Sequence, residues 1–119
     1  MVVIQKKSNV IPIDFGEFVL EYKANDAGIK YLEGYGKNLM AKSKELAELS
    51  DEEAQEAGFE FVKGSWSDLF DEATFNKVYA FAEEDSVIAL HYLIQATQGI
   101  ISEYKERNSQ DVFKKYLSD

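Results

Sequence analysis

The chain has 119 residues, of which 22 are acidic and 13 are basic, so its formal net charge is −9. Nucleic acids and anionic membrane surfaces are bound through Lys and Arg, so this charge argues against both as partners and would attract a basic protein. The chain has no cysteine for a disulfide or a thiolate metal site, and no apolar run reaches the ~18 residues of a membrane span.

The chain reads as one domain that begins with a β-hairpin. Residues 1–9 are polar enough that we expect a mobile end. From 11 to 23, apolar and polar residues alternate on both sides of Gly16, which is the pattern of two short strands joined by a turn. Pro12 has no backbone N–H to donate, so its strand is predicted to be an edge. Such a hairpin is marginal alone and must lie on helices or pair with another chain.

The rest of the domain, 26–117, is predicted to be helical. Asn25 or Asp26 can cap a first helix with an apolar stripe. Gly34 and Gly36 interrupt its pattern. They either let a neighbouring helix approach closely or mark a hinge.

The next helices are indicated by acidic capping residues. The segment Ser50–Glu53 matches the capping box, in which the serine side chain caps a helix and the glutamate reaches back. That helix is expected to run to about Leu69, with Gly64 as a point where it bends or ends. Ser67 or Asp71 then begins another helix.

The longest apolar pattern lies near the end of the chain and predicts its central helix. Asp85 or Ser86 is the expected cap. One apolar row comprises Val87, Leu90, Ile94, Ile101 and Tyr104, and a second comprises Ile88, Leu93, Ala96 and Ile100. A helix apolar over so much of its circumference must be covered by other elements. We therefore predict a mainly α fold, in which four to five helices surround this C-terminal helix beside the N-terminal hairpin.

A last short helix from Ser109 or Asp111 is predicted to present an apolar face to another copy of the chain. That face comprises Val112, Phe113, Tyr116 and Leu117. Together with the hairpin edge, whose free backbone groups invite pairing, it is the predicted self-association surface.

No arrangement of residues indicates catalysis, a metal or a cofactor. His91 is the only histidine and falls among apolar residues, so we expect a packed side chain with one ring nitrogen hydrogen-bonded. A metal site needs several convergent ligands. The acidic run Glu83–Asp85 lacks the glycine and the spacing of a calcium loop and reads as a solvated helix junction. We expect a protein that is not an enzyme.

Aromatic residues are abundant, with 8 Phe, 7 Tyr and 1 Trp. Either they mark a protein-binding surface, where aromatic side chains are enriched, or helices packed on two sides bury them. The aromatic residues nearest the middle of the chain are the candidate partner-binding set: Phe59, Phe61, Trp66, Phe70, Phe75, Tyr79 and Phe81.

The order of these features resembles the tail assembly chaperones of long-tailed bacteriophages and prophages. The resemblance runs from about Ile11 to Leu117. It comprises the hairpin, a polar helix, the acidic junction before Glu53, and Phe75-Asn-Lys-Val-Tyr79 followed at once by a capped long helix. The family normally has Asp where this chain has Asn76.

The resemblance implies a chaperone that coats the tape-measure protein in the host cytoplasm and is absent from the mature virion. The tail tube protein is a second partner to consider. Two other functions remain open: a small structural neck or connector protein, and an acidic inhibitor. The inhibitor would need carboxylates spread over one face at phosphate-like spacing, whereas here they cluster at helix starts and junctions.

Overall fold

The computed structural model describes residues 1–108, and these form a hairpin followed by four helices. The hairpin strands are β1 (Val10–Asp14) and β2 (Val19–Lys23). The helices are α1 (Asp26–Ala47), α2 (Asp51–Leu69), α3 (Glu72–Phe81) and α4 (Ser86–Arg107). The predicted mainly helical fold with an N-terminal hairpin is thus confirmed. The C-terminal face of Val112, Phe113, Tyr116 and Leu117 lies outside the described residues.

The hairpin turn is shaped by Gly16 and by the side chain of Asp14. Gly16 adopts a φ of +86°, a left-handed conformation that glycine tolerates best, and its N–H donates to Asp14 Oδ1 at 2.7 Å. Beyond the turn, the rings of Phe15 and Phe18 stack with centroids 4.7 Å apart. Tyr22 ties the hairpin to α1, because its hydroxyl donates to the Gly28 carbonyl oxygen at 2.6 Å.

Side-chain caps begin all four helices, as the sequence indicated. Asn25 begins α1 and accepts from the Gly28 N–H, and Ser50 begins α2 and accepts from the Glu53 N–H. Of the paired alternatives, Asp71 begins α3 and Asp85 begins α4. Each cap satisfies a backbone N–H that the first helical turn leaves without a partner.

None of the glycines expected to disturb a helix does so. α1 is continuous through Gly34 and Gly36, and α2 is continuous through Gly64. α1 therefore has no break at these glycines, and α2 does not end at Gly64. At Gly36 an added Cβ would lie 3.6 Å from the Thr97 methyl group of α4, which agrees with a close helix approach there.

α4 is central, since it packs against α1, α2, α3 and β1. Its buried face differs from the first predicted row, because Val87 is 62% exposed. The buried side chains are Ala89, Leu93, Ala96, Thr97 and Ile100. Three of these are small, so neighbouring helices come close along this face rather than along the bulkier row.

Trp66 lies at the centre of the larger core cluster. It is 0% exposed, and its indole Nε1–H donates to the Ala89 carbonyl oxygen of α4 at 3.0 Å. The same cluster includes Val78 of α3, Leu39 of α1 and Leu20 of β2. A smaller cluster joins the hairpin to α1 and α4 through Ile11, Tyr22, Ala24, Ile29, Leu32 and Ile100.

Residues 1–8, hereafter the arm, precede β1 without helix or strand. The side chains of Met1, Val2, Val3 and Ile4 are all at least 71% exposed. The first half of the arm therefore places four apolar side chains in solvent, although we expected a polar end from the sequence. The mobility of this end stays a prediction.

A candidate protein-binding cleft

The seven aromatic residues proposed to bind a partner do not form one surface. Trp66 is 0% exposed and Phe75 is 3% exposed, so both belong to the core and cannot touch a partner in this conformation. The helical spacing of the seven aromatic residues could not show which of them lie on the buried face of a helix and which lie beside it. The other five, Phe59, Phe61, Phe70, Tyr79 and Phe81, are half-buried.

Phe81 and Phe70 lie at two separate places on the hairpin side. Phe81 meets Phe15 edge to face at 5.4 Å and lies 5.6 Å from Tyr92, between the hairpin turn and α4. Phe70 meets Tyr22 at 6.0 Å, beneath β2. Phe15 was absent from the predicted set, although its place beside a turn glycine could have indicated a packed hairpin tip.

Phe59 and Tyr79 lie together in a cleft between the end of α1, the start of α2 and the junction of α3 with α4. We call it the junction cleft, and its volume is about 880 Å³. The two rings pack edge to face with centroids 5.4 Å apart. The other apolar lining residues are Leu46, Ala47, Ala54, Gly58, Val62, Val87 and Leu90.

One rim of the junction cleft is acidic and has an unusual backbone. Glu83 and Glu84 adopt φ values of 57° and 59°, in the left-handed region. The Glu84 N–H donates to the Tyr79 carbonyl oxygen at 2.9 Å, and the Glu83 N–H donates to that of Ala80 at 3.0 Å. This pair of bonds ends α3 as a Schellman motif, with Glu83 where glycine is usual.

The acidic rim faces solvent without a basic partner among residues 1–108. The three ion pairs in that part of the chain are Lys42 with Glu45, Lys63 with Glu72 and Arg107 with Glu103. Glu83, Glu84 and Asp85 are exposed and belong to none of them. A negative rim beside an apolar floor suits an amphipathic segment that carries basic residues at the edge of its apolar stripe.

His91 is exposed on α4, so the expectation of a packed histidine was wrong. In residues 1–108, no three His, Asp or Glu side chains gather in a way that could hold a metal ion. No helix in this part of the chain has both the length and the apolar character to cross a membrane.

Two neighbouring hydroxyl groups, one half-buried and one buried, lie where α1 meets α2. The Tyr35 hydroxyl donates to Asp68 Oδ2 at 3.2 Å, and burial is the main cause of its raised pKa. The Ser65 hydroxyl lies close enough to the Tyr35 hydroxyl to lower its pKa, but Ser65 Oγ makes no hydrogen bond of standard length and angle among the described residues. Ser65 does not line the junction cleft, so this group is a packing feature rather than part of the cleft.

Comparison with known proteins gives no relative. No family model, no curated protein and no solved structure matches this chain.

Proposed function

We propose that this chain is a non-enzymatic tail assembly chaperone, which binds the tape-measure protein of a long-tailed phage and keeps it soluble while the tail tube assembles. The resemblance of residues 11–117 to that family supports the proposal from the sequence. The junction cleft supports it from the structure, because its apolar floor is open to solvent and wide enough to accept side chains of another protein.

The cleft suits one apolar ridge of an amphipathic helix. Helix-in-groove recognition uses apolar side chains spaced three and four residues apart, and a long helical tape-measure protein offers many such ridges. Phe59, Tyr79, Leu46 and Leu90 would bury that ridge, with a gain of ~25 cal/mol for each Å² of apolar surface removed from water. Many copies that each bind weakly would cover a long partner and still be displaced by the growing tube.

The test is co-expression of the chain with tape-measure fragments, followed by a pull-down. Val87→Asp places a charge on the cleft wall at a side chain that is 62% exposed, so the fold should survive. We expect it to abolish both capture and solubilisation of the fragments. The matched control is Ile88→Asp, one residue further along the same first turn, which is 37% exposed and is not part of the cleft wall.

The salt dependence of binding tests the mechanism separately. Apolar burial persists at high salt, whereas exposed ion pairs are screened once the Debye length falls below ~10 Å. We expect capture to persist at high salt. Capture that disappears there would assign binding to the acidic rim, and no capture at either salt by the folded protein would overturn the chaperone proposal.

The alternative functions give different results in the same system. A neck or connector protein would be found by mass spectrometry in purified particles, whereas a chaperone confined to the host cytoplasm would be missing. An acidic inhibitor would bind a basic protein and would not keep a tape-measure fragment in solution.

A further inference from the structure

The two outer edges of the hairpin are unequal. The backbone bonds from Phe15 N–H to Phe18 O and from Ala24 N–H to Asn9 O fix the register of the ladder. Hydrogen-bonded and non-bonded pairs alternate in an antiparallel ladder. Val10, Pro12 and Asp14 therefore turn their backbone groups away from β2, and Val19, Glu21 and Lys23 turn theirs away from β1.

The β1 edge is already blocked. The Val10 N–H donates to Ser8 Oγ at 3.1 Å, and the Val10 carbonyl oxygen accepts from Arg107 at 3.0 Å. Pro12 has no N–H to offer. These features are the means by which natural sheets prevent a further strand from pairing.

The β2 edge is open. Within residues 1–108, the outward N–H and C=O groups of Val19 and Glu21 have no hydrogen-bond partner. Beside them lies a recess of about 650 Å³ between β2 and the start of α3, with Leu69 and Phe70 in its wall. A strand added to this edge would bond to β2 and place every second side chain over that recess.

We propose that the β2 edge binds the arm of a second copy of this chain, as a third strand of the sheet. Val2, Val3 and Ile4 are β-prone residues that lie in solvent, although their burial would be favourable. With Val3 opposite Glu21, its backbone exchanges hydrogen bonds with β2. Val2 and Ile4 then face the recess with Leu69 and Phe70.

The arm does not lie on the β2 edge of its own chain. Lys7 lines a recess with Ala24, Asn25, Tyr104 and Arg107, at the end of the hairpin where β1 begins and β2 ends. No arm residue lines the recess beside the β2 edge. Because the arm leads into β1 at this end, it could follow the β2 edge of its own chain only in the parallel direction, whereas the arm of a second copy can pair antiparallel.

Charge also favours the binding of an arm to a second copy of the chain, which we call arm exchange. The arm contains Lys6 and Lys7 and no acidic residue, whereas the whole chain has a net charge of −9. Two copies of an acidic chain repel each other. A basic arm of one copy that binds to the other copy weakens that repulsion. The inference rests on the hairpin and the arm alone and does not depend on the proposed function.

Light scattering over a range of concentrations tests the exchange in the full chain. We expect concentration-dependent association of the unaltered protein. Val3→Pro removes the N–H that would bond to β2, and Glu21→Pro removes an outward N–H of β2 itself, so each should raise the dissociation constant roughly ten-fold or more. Val3→Ala and Glu21→Ala keep both N–H groups and should associate far more strongly than the proline variants.

Val3→Pro changes a side chain that is 71% exposed and lies outside both strands, so it tests the exchange even if Glu21→Pro does not fold. A monomer at every concentration would overturn the proposal, and so would association that Val3→Pro leaves unchanged.

The absence of cysteine allows a second, positional test. A mixture of the Val3→Cys and Glu21→Cys proteins should form a mixed disulfide, because residues in a bonded antiparallel pair have Cα atoms ~5.5 Å apart. The control mixture replaces Glu21→Cys by Asp14→Cys, on the blocked β1 edge. Equal cross-linking in the two mixtures would contradict the choice of edge.

Discussion

At the scale of single residues, Ser65 is the least satisfied position in the core. Its side chain is 1% exposed, and its hydroxyl makes no hydrogen bond of standard geometry within residues 1–108, although the Tyr35 hydroxyl lies close to it. A buried polar group without a partner costs ~1–3 kcal/mol. Thr97, the comparable buried hydroxyl on α4, donates to the Leu93 carbonyl oxygen at 2.8 Å and avoids that cost.

Ser65→Ala should therefore raise the free energy of unfolding by about 1 kcal/mol, as measured by urea titration. Alanine also favours helices more than serine does, so Ser67→Ala in the same helix measures that smaller contribution. Thr97→Val should not be stabilising, because it removes a hydroxyl that has a partner. A gain at Ser65 no larger than the gain at Ser67 would contradict the unsatisfied hydroxyl.

At the scale of elements, helix starts could be predicted and helix faces could not. Ser50, Asp71 and Asp85 were recognisable because a short polar side chain caps through a local, sequence-encoded bond. The end of α3 was not, since Glu83 stands where a Schellman motif usually has glycine. On α4 two neighbouring apolar rows were equally periodic, and only tertiary packing decided between them.

Asp71, the residue that caps α3, makes the stability of the fold depend on pH under acidic conditions. Asp71 Oδ1 accepts from the Thr74 N–H at 2.7 Å, and hydrogen bonding by Thr74 lowers the pKa of Asp71 below its usual 3.8. A lowered folded-state pKa stabilises the fold fully above the unfolded value, and that contribution is lost as the pH falls through the folded value.

Asp71→Asn keeps a capping oxygen but does not titrate. We expect its Tm to match the unaltered protein near neutral pH and to fall less steeply below about pH 4. Asp71→Ala should lower Tm already at neutral pH, because the Thr74 N–H loses its partner. Parallel acid profiles for the unaltered protein and Asp71→Asn would contradict this role.

At the scale of the whole molecule, the sequence predicted the hairpin, the helix order and the central helix. It did not predict the junction cleft, because Leu46, Leu90 and Val87 had the periodicity of core residues. Whether such a side chain is covered depends on how far α1 and α2 diverge, which no local pattern records. The inequality of the hairpin edges was also hidden, since Arg107 reaches Val10 from the far end of the chain.

The intrinsic fluorescence of Trp66 can report on the folded state of the molecule. It is the only tryptophan, and its ring is shielded from water with Phe15 and Phe70 nearby. A shielded indole emits at shorter wavelength than one in water, so the folded protein should fluoresce in the blue part of the tryptophan range. Because its N–H bonds to α4, the emission reports the docking of α2 on α4 rather than helix content.

Unfolding by urea should shift this emission to the red at the same midpoint as the loss of circular dichroism, as in a two-state transition. An emission midpoint well below the dichroism midpoint would mean that α2 leaves α4 while the helices persist. Val87→Asp and Val3→Pro change exposed side chains and should keep the blue emission, so one fluorescence spectrum can establish the fold of each variant before its binding is measured.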